Sequence, residues 1–132
     1  MQYDLEQAPD IHTVHSFAWD SVWIGDRLQA HSFIITPDTV IADWSARVDS
    51  PFTTEDLTPL QNLDADIILI GTGPQQRIPD MAPFKALLSR GKSIEFMNSA
   101  AACRTYNILA MELRNVAAGI ILPLRSRTRN DP

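Results

Sequence analysis

Cysteine is almost missing from this chain. Cys103 is the single one in 132 residues, which excludes an internal disulfide and fits a reducing compartment. Long apolar runs are missing as well. The longest, Val116 to Leu122, falls far short of the roughly 20 residues that a membrane-spanning helix needs. Positive charge is scarce: 11 Lys and Arg stand against 16 Asp and Glu, for a net charge of −5. An acidic domain repels the phosphate backbone, so nucleic acid is not an expected partner. The basic residues cluster only in Arg125, Arg127 and Arg129. The plain reading of that cluster is a solvated tail, and the sharper one is a docking tail for an acidic partner.

The start, Met1-Gln2-Tyr3-Asp4-Leu5-Glu6, has neither the basic and apolar regions of a secretory signal nor the arginines of a transit peptide. Cytoplasm is therefore the expected location. Catalytic fingerprints are missing too. Gly71-Thr72-Gly73 lacks the third glycine of a dinucleotide site and the Gly-Lys-Ser/Thr ending of a phosphate loop. His12 and His15, three apart, fall on opposite faces of a strand, which defeats a shared metal site there. No metal, cofactor or catalytic residue is expected.

What is present is an ordinary globular composition, 45% hydrophobic and 20% charged. The length suits one domain, here residues 1–124 followed by a basic tail over 125–132. The first half reads as short strands between turns: His12 to Phe17, Val22 to Ile24, Leu28 to Ile35 and Val40 to Trp44. Gly25-Asp26 and Pro37-Asp38 supply turns. Thr53 or Thr54 caps a short helix, with Leu57, Leu60 and Leu63 as its apolar side. Trp19, Trp23 and Trp44 are expected in the core or over the sheet.

The second half alternates strand and helix. Ile67-Ile68-Leu69-Ile70 is apolar throughout, as in a parallel strand buried on both faces. A helix from Asp80 to Arg90 stops at Gly91, and Ser93 to Met97 is the next strand. Ser99 caps the longest helix, which runs to Arg114 with Ala102, Tyr106, Leu109 and Leu113 inward. Val116 to Leu122 is the last strand. The whole predicts an α/β three-layer domain: a central mixed, largely parallel sheet, extra N-terminal antiparallel hairpin strands, and helices on the faces.

Ligands of open α/β sheets favour the carboxyl ends of parallel strands. Gly71, Thr72, Gly73, Asn98 and Ser99 stand there, with Cys103 and Arg104 one turn into the long helix. Together they make a candidate site for an anion or carboxylate, and the glycines also serve simply to turn the chain. Cys103 lies near a helix start and beside Arg104, two features that lower a thiol pKa, although a buried, inert cysteine is the plainer reading. On the outer side of the helix, Arg104, Ile108 and Met111 form a candidate partner-binding strip.

Ile68-Leu69-Ile70-Gly71-Thr72-Gly73, Phe96-Met97-Asn98-Ser99, Ala102-Cys103-Arg104-Thr105-Tyr106-Asn107-Ile108-Leu109 and Arg114-Asn115-Val116-Ala117-Ala118 together resemble a small α/β family. That family includes the mitochondrial respiratory complex I assembly factor 3, an adipogenesis-associated human protein, and many bacterial and archaeal proteins. The resemblance runs from Tyr3 to Pro123. It implies a three-layer fold around a mixed sheet and no catalytic residues. Its implied function is non-enzymatic: binding an assembly factor or respiratory complex subunit. The family commonly has Met-Asp-Thr where this chain has Met97-Asn98-Ser99, so a carboxylate is missing at the strand end. The alternative function is a small-molecule or anion-binding domain, with or without enzymatic activity, at the strand ends.

Overall fold

The computed structural model describes residues 10–123; the expected basic tail lies outside them. Two sheets form. The first is antiparallel, with β1 (Val14–Ala18), β2 (Ser21–Ile24) and β3 (Arg27–Gln29) in that order. The second uses β4 (Phe33–Ile35), β5 (Val40–Ile41), β6 (Ile67–Gly71), β7 (Ser93–Met97) and β8 (Val116–Ile120) in the order β5-β4-β8-β6-β7. β6 pairs parallel with both β7 and β8, and β4 runs antiparallel to β8 and β5. Three helices complete the fold: α1 (Thr54–Gln61), α2 (Lys85–Ser89) and α3 (Ser99–Met111). This is the mixed α/β architecture expected from the sequence.

The period-2 alternation of the central strands splits the core in two. Phe33, Ile35, Leu69, Val116, Ala118 and Ile120 face α3 and the three-stranded sheet. Ile34, Ile68, Ile70 and Ala117 face α1, α2 and the Trp44–Phe52 segment. Both faces of the central sheet are thus covered, which explains why β6 can be apolar at every position.

Local chemistry sets the helix boundaries. Thr53 caps α1: its Oγ1 accepts from Asp56 N at 3.2 Å, and Asp56 Oδ2 accepts from Thr53 N at 2.9 Å, a reciprocal capping box. The expected helix over Asp80–Arg90 is shorter. It opens as a 3-10 turn over Ala82–Phe84, with Pro83 in the first turn where a helix needs no N–H from it, and becomes α-helical only at Lys85. Gly91, at φ 78°, then turns the chain out.

Other expectations change on folding. The single strand expected over Leu28–Ile35 is two strands in two sheets, broken at Ala30–Ser32. The expected strand Val40 to Trp44 ends at Ile41, and Trp44 turns into the core. Trp19 and Trp23 are not core residues; they are 41% and 42% exposed. Trp23 lies across from Leu28 on the outer face of the three-stranded sheet, and Trp19 stands edge-on to Phe17 in the β1–β2 turn. α3 ends at Met111 rather than Arg114. Leu113 takes a positive φ of 63° and is 74% exposed, not inward.

Two side chains pin α3 to the first sheet. Asn107 accepts from Val14 N and donates to Val14 O, each at 2.8 Å, as a neighbouring strand would. Tyr106 Oη donates to His12 O at 2.7 Å.

Candidate functional site

The carboxyl ends of β6 and β7 meet the start of α3 in a closed joint. Asn98, not Ser99, is the helix cap: its extended backbone (φ −63°, ψ 160°) lets Oδ1 accept from Ala101 N at 2.8 Å. Ser99 is already helical and fully buried. Its Oγ accepts from Gly73 N at 2.8 Å and donates to Ile121 O at 2.6 Å. Its backbone N–H donates to Gly73 O at 2.8 Å. One serine therefore ties together the ends of β6, β8 and α3.

The glycines serve the same joint. A Cβ on Gly71 would lie 2.8 Å from Ser99 Cα and 3.1 Å from Ala102 Cβ, so only glycine lets α3 approach this closely. Gly73 takes a φ of 99°, and Val48 fills the space beside it. Thr72 is fully buried, with Oγ1 donating to Gln75 O at 2.6 Å and accepting from Arg77 N at 3.2 Å. The loop is held by its own hydroxyls and amides, which are the groups an anion would otherwise engage. Arg77 also turns to its own chain, 5.9 Å from the centre of the Phe52 ring and 3.4 Å from Arg47 O.

Cys103 is 2% exposed, packed with Val14, Tyr106 and the β-strands beneath α3. Burial pushes its thiol up to about 12, and the pull of Arg104 in the other direction is smaller. Desolvation of the thiolate thus outweighs the neighbouring cation. Arg104, the next residue, is exposed on the outer side of the helix. The strand-end candidates therefore do not converge on one space. Gly71, Thr72, Gly73 and Ser99 are inside the joint, Asn98 caps the helix, Cys103 is in the core and Arg104 is outside.

The outer face of α3 is open. Ile108 is 59% exposed and Met111 49% exposed, one turn apart and in line with Arg104. Their outward placement follows from α3 being one regular helix with a single buried side.

A cavity of about 460 Å³ lies at the other end of the sheet. Asp38, Asp64, Arg114 and Asn115 surround its mouth above a floor of Ala65, Ala110 and Val116. Sequence reasoning missed it, since its walls come from the β4–β5 turn, the segment before β6 and the segment after α3. Among the described residues no group of three or more His, Cys, Asp or Glu side chains is placed to hold a metal ion.

These features define a small three-layer α/β domain whose strand ends are sealed and whose one long helix presents an apolar outer strip. The chain belongs to the family described as protein of unknown function (DUF498/DUF598), whose model matches residues 14–121. Among solved structures, a Xanthomonas campestris protein is 29% identical, with a TM-score of 0.77 over 97% of this chain and 98% of its own. A Bordetella pertussis protein described as an Mth938-like domain is 23% identical, with a TM-score of 0.74 over 92% of each chain. A curated relative from Francisella tularensis, called 13 kDa major membrane protein, is 48% identical over 56 residues. That match covers 42% of this chain and 46% of the relative, less than half of its length. Among the described residues, no helix is long and apolar enough to cross a membrane.

Proposed function

We propose that this domain is a non-enzymatic docking module and that the outer face of α3 seats a protein partner. One observation carries the reading: Ile108 and Met111 stand exposed on a helix whose other side is fully packed. Isolated exposed apolar side chains are common, but two in line beside an arginine make a compact anchor with a polar rim. The partner class is an assembly factor or subunit of a membrane-bound respiratory complex, met from the cytoplasm. The resemblance to the complex I assembly factor supports that class, and the name of the Francisella relative, 13 kDa major membrane protein, supports only the membrane part of it. Gly71, Thr72, Gly73, Asn98 and Ser99 are on this reading the joint that holds α3 rigid rather than a ligand site.

The test is affinity capture of the tagged chain from its native cells, with mild crosslinking and mass spectrometry. Wild-type protein is expected to enrich respiratory-complex subunits or their assembly factors. Ile108→Asp and Met111→Asp are expected to lose them. Equal enrichment by all three proteins would remove this face from the function.

A further inference from the structure

The charges on α3 have an order that suits one occupant in particular. At about 100° per residue, Ala101, Arg104, Thr105, Met111 and Glu112 all project within about 60° of Ile108. Arg104, Ile108, Met111 and Glu112 are exposed, and Ala101 and Thr105 are half-buried. Arg104, Ile108 and Glu112 form a single i, i+4, i+8 ridge, with the cation and the anion each about 6 Å along the axis from Ile108. The two charges are about 12 Å apart along that axis, too far to pair with each other. Among the described residues the one ion pair is Arg47–Asp49, so neither end of the ridge is neutralised there.

We infer that this ridge packs antiparallel against the same ridge of a second copy of the chain, across a two-fold axis at Ile108. The two-fold reverses the order of charges, so Arg104 of each copy meets Glu112 of the other, twice per dimer. Ile108 meets its own equivalent at the centre. A parallel arrangement would set Arg104 against Arg104, so the charge pattern selects the antiparallel one. Laying one i±4 ridge beside another is the commonest helix packing, with a crossing angle of about −50°. The row next to the ridge is Ala101 and Thr105, small enough to leave the groove that the second ridge needs. Met111 supplies an apolar wall on the other side. The inference rests on the docking reading in that it uses the same face. It makes the second copy an occupant that any other partner must displace.

Sedimentation of the purified full chain over a dilution series, at low and at high salt, tests it. The wild type is expected to shift between dimer and monomer, with the dimer weakened by salt. Arg104→Glu and Glu112→Arg are each expected to weaken the dimer by about tenfold or more, through like charges brought face to face. The double variant, Arg104→Glu with Glu112→Arg, restores the pairing and is expected to recover the wild-type dimer. A wild type that stays monomeric throughout overturns the inference, and so does a dimer indifferent to the single reversals or one not rescued by the double. A monomeric chain that still captures its partner through Ile108 would overturn self-pairing and leave the docking reading standing.

Discussion

Trp44 occupies the space that a side chain on Gly119 would take. A Cβ there would lie 2.6 Å from Trp44 Cη2 and 2.7 Å from Cζ3. The indole cannot swing aside cheaply, since its Nε1 donates to Asp56 O at 2.7 Å and its ring packs near Phe52. Asp56 is held in turn by the α1 capping box and by Ser45, whose Oγ donates to Oδ1. The glycine in the middle of β8 is thus the seat of the aromatic layer beneath the sheet.

Gly119→Ala is accordingly expected to destabilise the protein by about 2 kcal/mol through overpacking. Denaturant unfolding followed by tryptophan fluorescence measures it. An unchanged midpoint would show that Trp44 leaves the sheet face freely.

The joint at the strand ends ranks three substitutions. Ser99→Ala leaves the buried Gly73 N–H without its acceptor and Ile121 O without its donor, and should cost about 2 kcal/mol. Asn98→Ala removes only the cap, for about 1 kcal/mol. Asn98→Asp keeps a capping oxygen and adds negative charge at a helix start, so it should change stability by no more than about 0.5 kcal/mol. Thermal melts of the three variants give the order directly, and a larger loss in Asn98→Asp than in Ser99→Ala would contradict the assigned roles.

Alkali should unfold the domain earlier than acid-base neutral packing would suggest. Cys103 has its thiol raised from 9.0 to about 12, chiefly by burial. Its contribution is fully present below pH 9.0. As pH rises from there toward 12, the unfolded chain gives up the proton while the folded one keeps it, and stability falls by about 1.4 kcal/mol per pH unit. Tyr106 is raised by burial and secondarily by the charge of Asp38, and adds its own loss above its ordinary value of 10.0. Cys103→Ala should therefore flatten the stability profile between pH 9 and 10, before the tyrosine begins to titrate. Unfolding curves at closely spaced pH values check this. A slope the same in both proteins would mean that the thiol is not desolvated.

The two sides of α3 should respond unequally. Ile108→Asp and Met111→Asp, on exposed positions, are expected to shift stability by no more than about 0.5 kcal/mol. Tyr106→Phe, which deletes the bond to His12 O, should cost about 1 kcal/mol. Chemical denaturation at a dilution where the chain is monomeric distinguishes them, and serious destabilisation by either aspartate there would mean that the strip is covered within the chain itself.

The legible parts of this fold are those that short-range rules govern. Ser93–Met97 is the strand expected from its residues, Ile67–Ile70 falls one residue short of the strand observed, and α3 starts one residue before the position that a Ser99 cap would give it. The outward positions of Arg104, Ile108 and Met111 follow from a regular helix. The break at Ala30–Ser32 was not legible: both flanks are apolar and only the partner strands differ, with β3 pairing with β2 and β4 with β8. Trp23 misled for a related reason, since its strand belongs to a sheet with a solvent-facing side, and Trp19 lies in the exposed turn between β1 and β2.

By itself the sequence determined the alternation of strand and helix, the two-sided burial of β6 and the outer strip of α3. Each depends on the period of side chains along one element. Only the tertiary structure decided that the Gly71–Gly73 and Asn98–Ser99 segments lock together. Spacing within a chain does not report whether two loops meet across a gap or close it. That depends on how near α3 lies to the sheet, which the absence of a side chain at Gly71 and the buried hydroxyl of Ser99 set together.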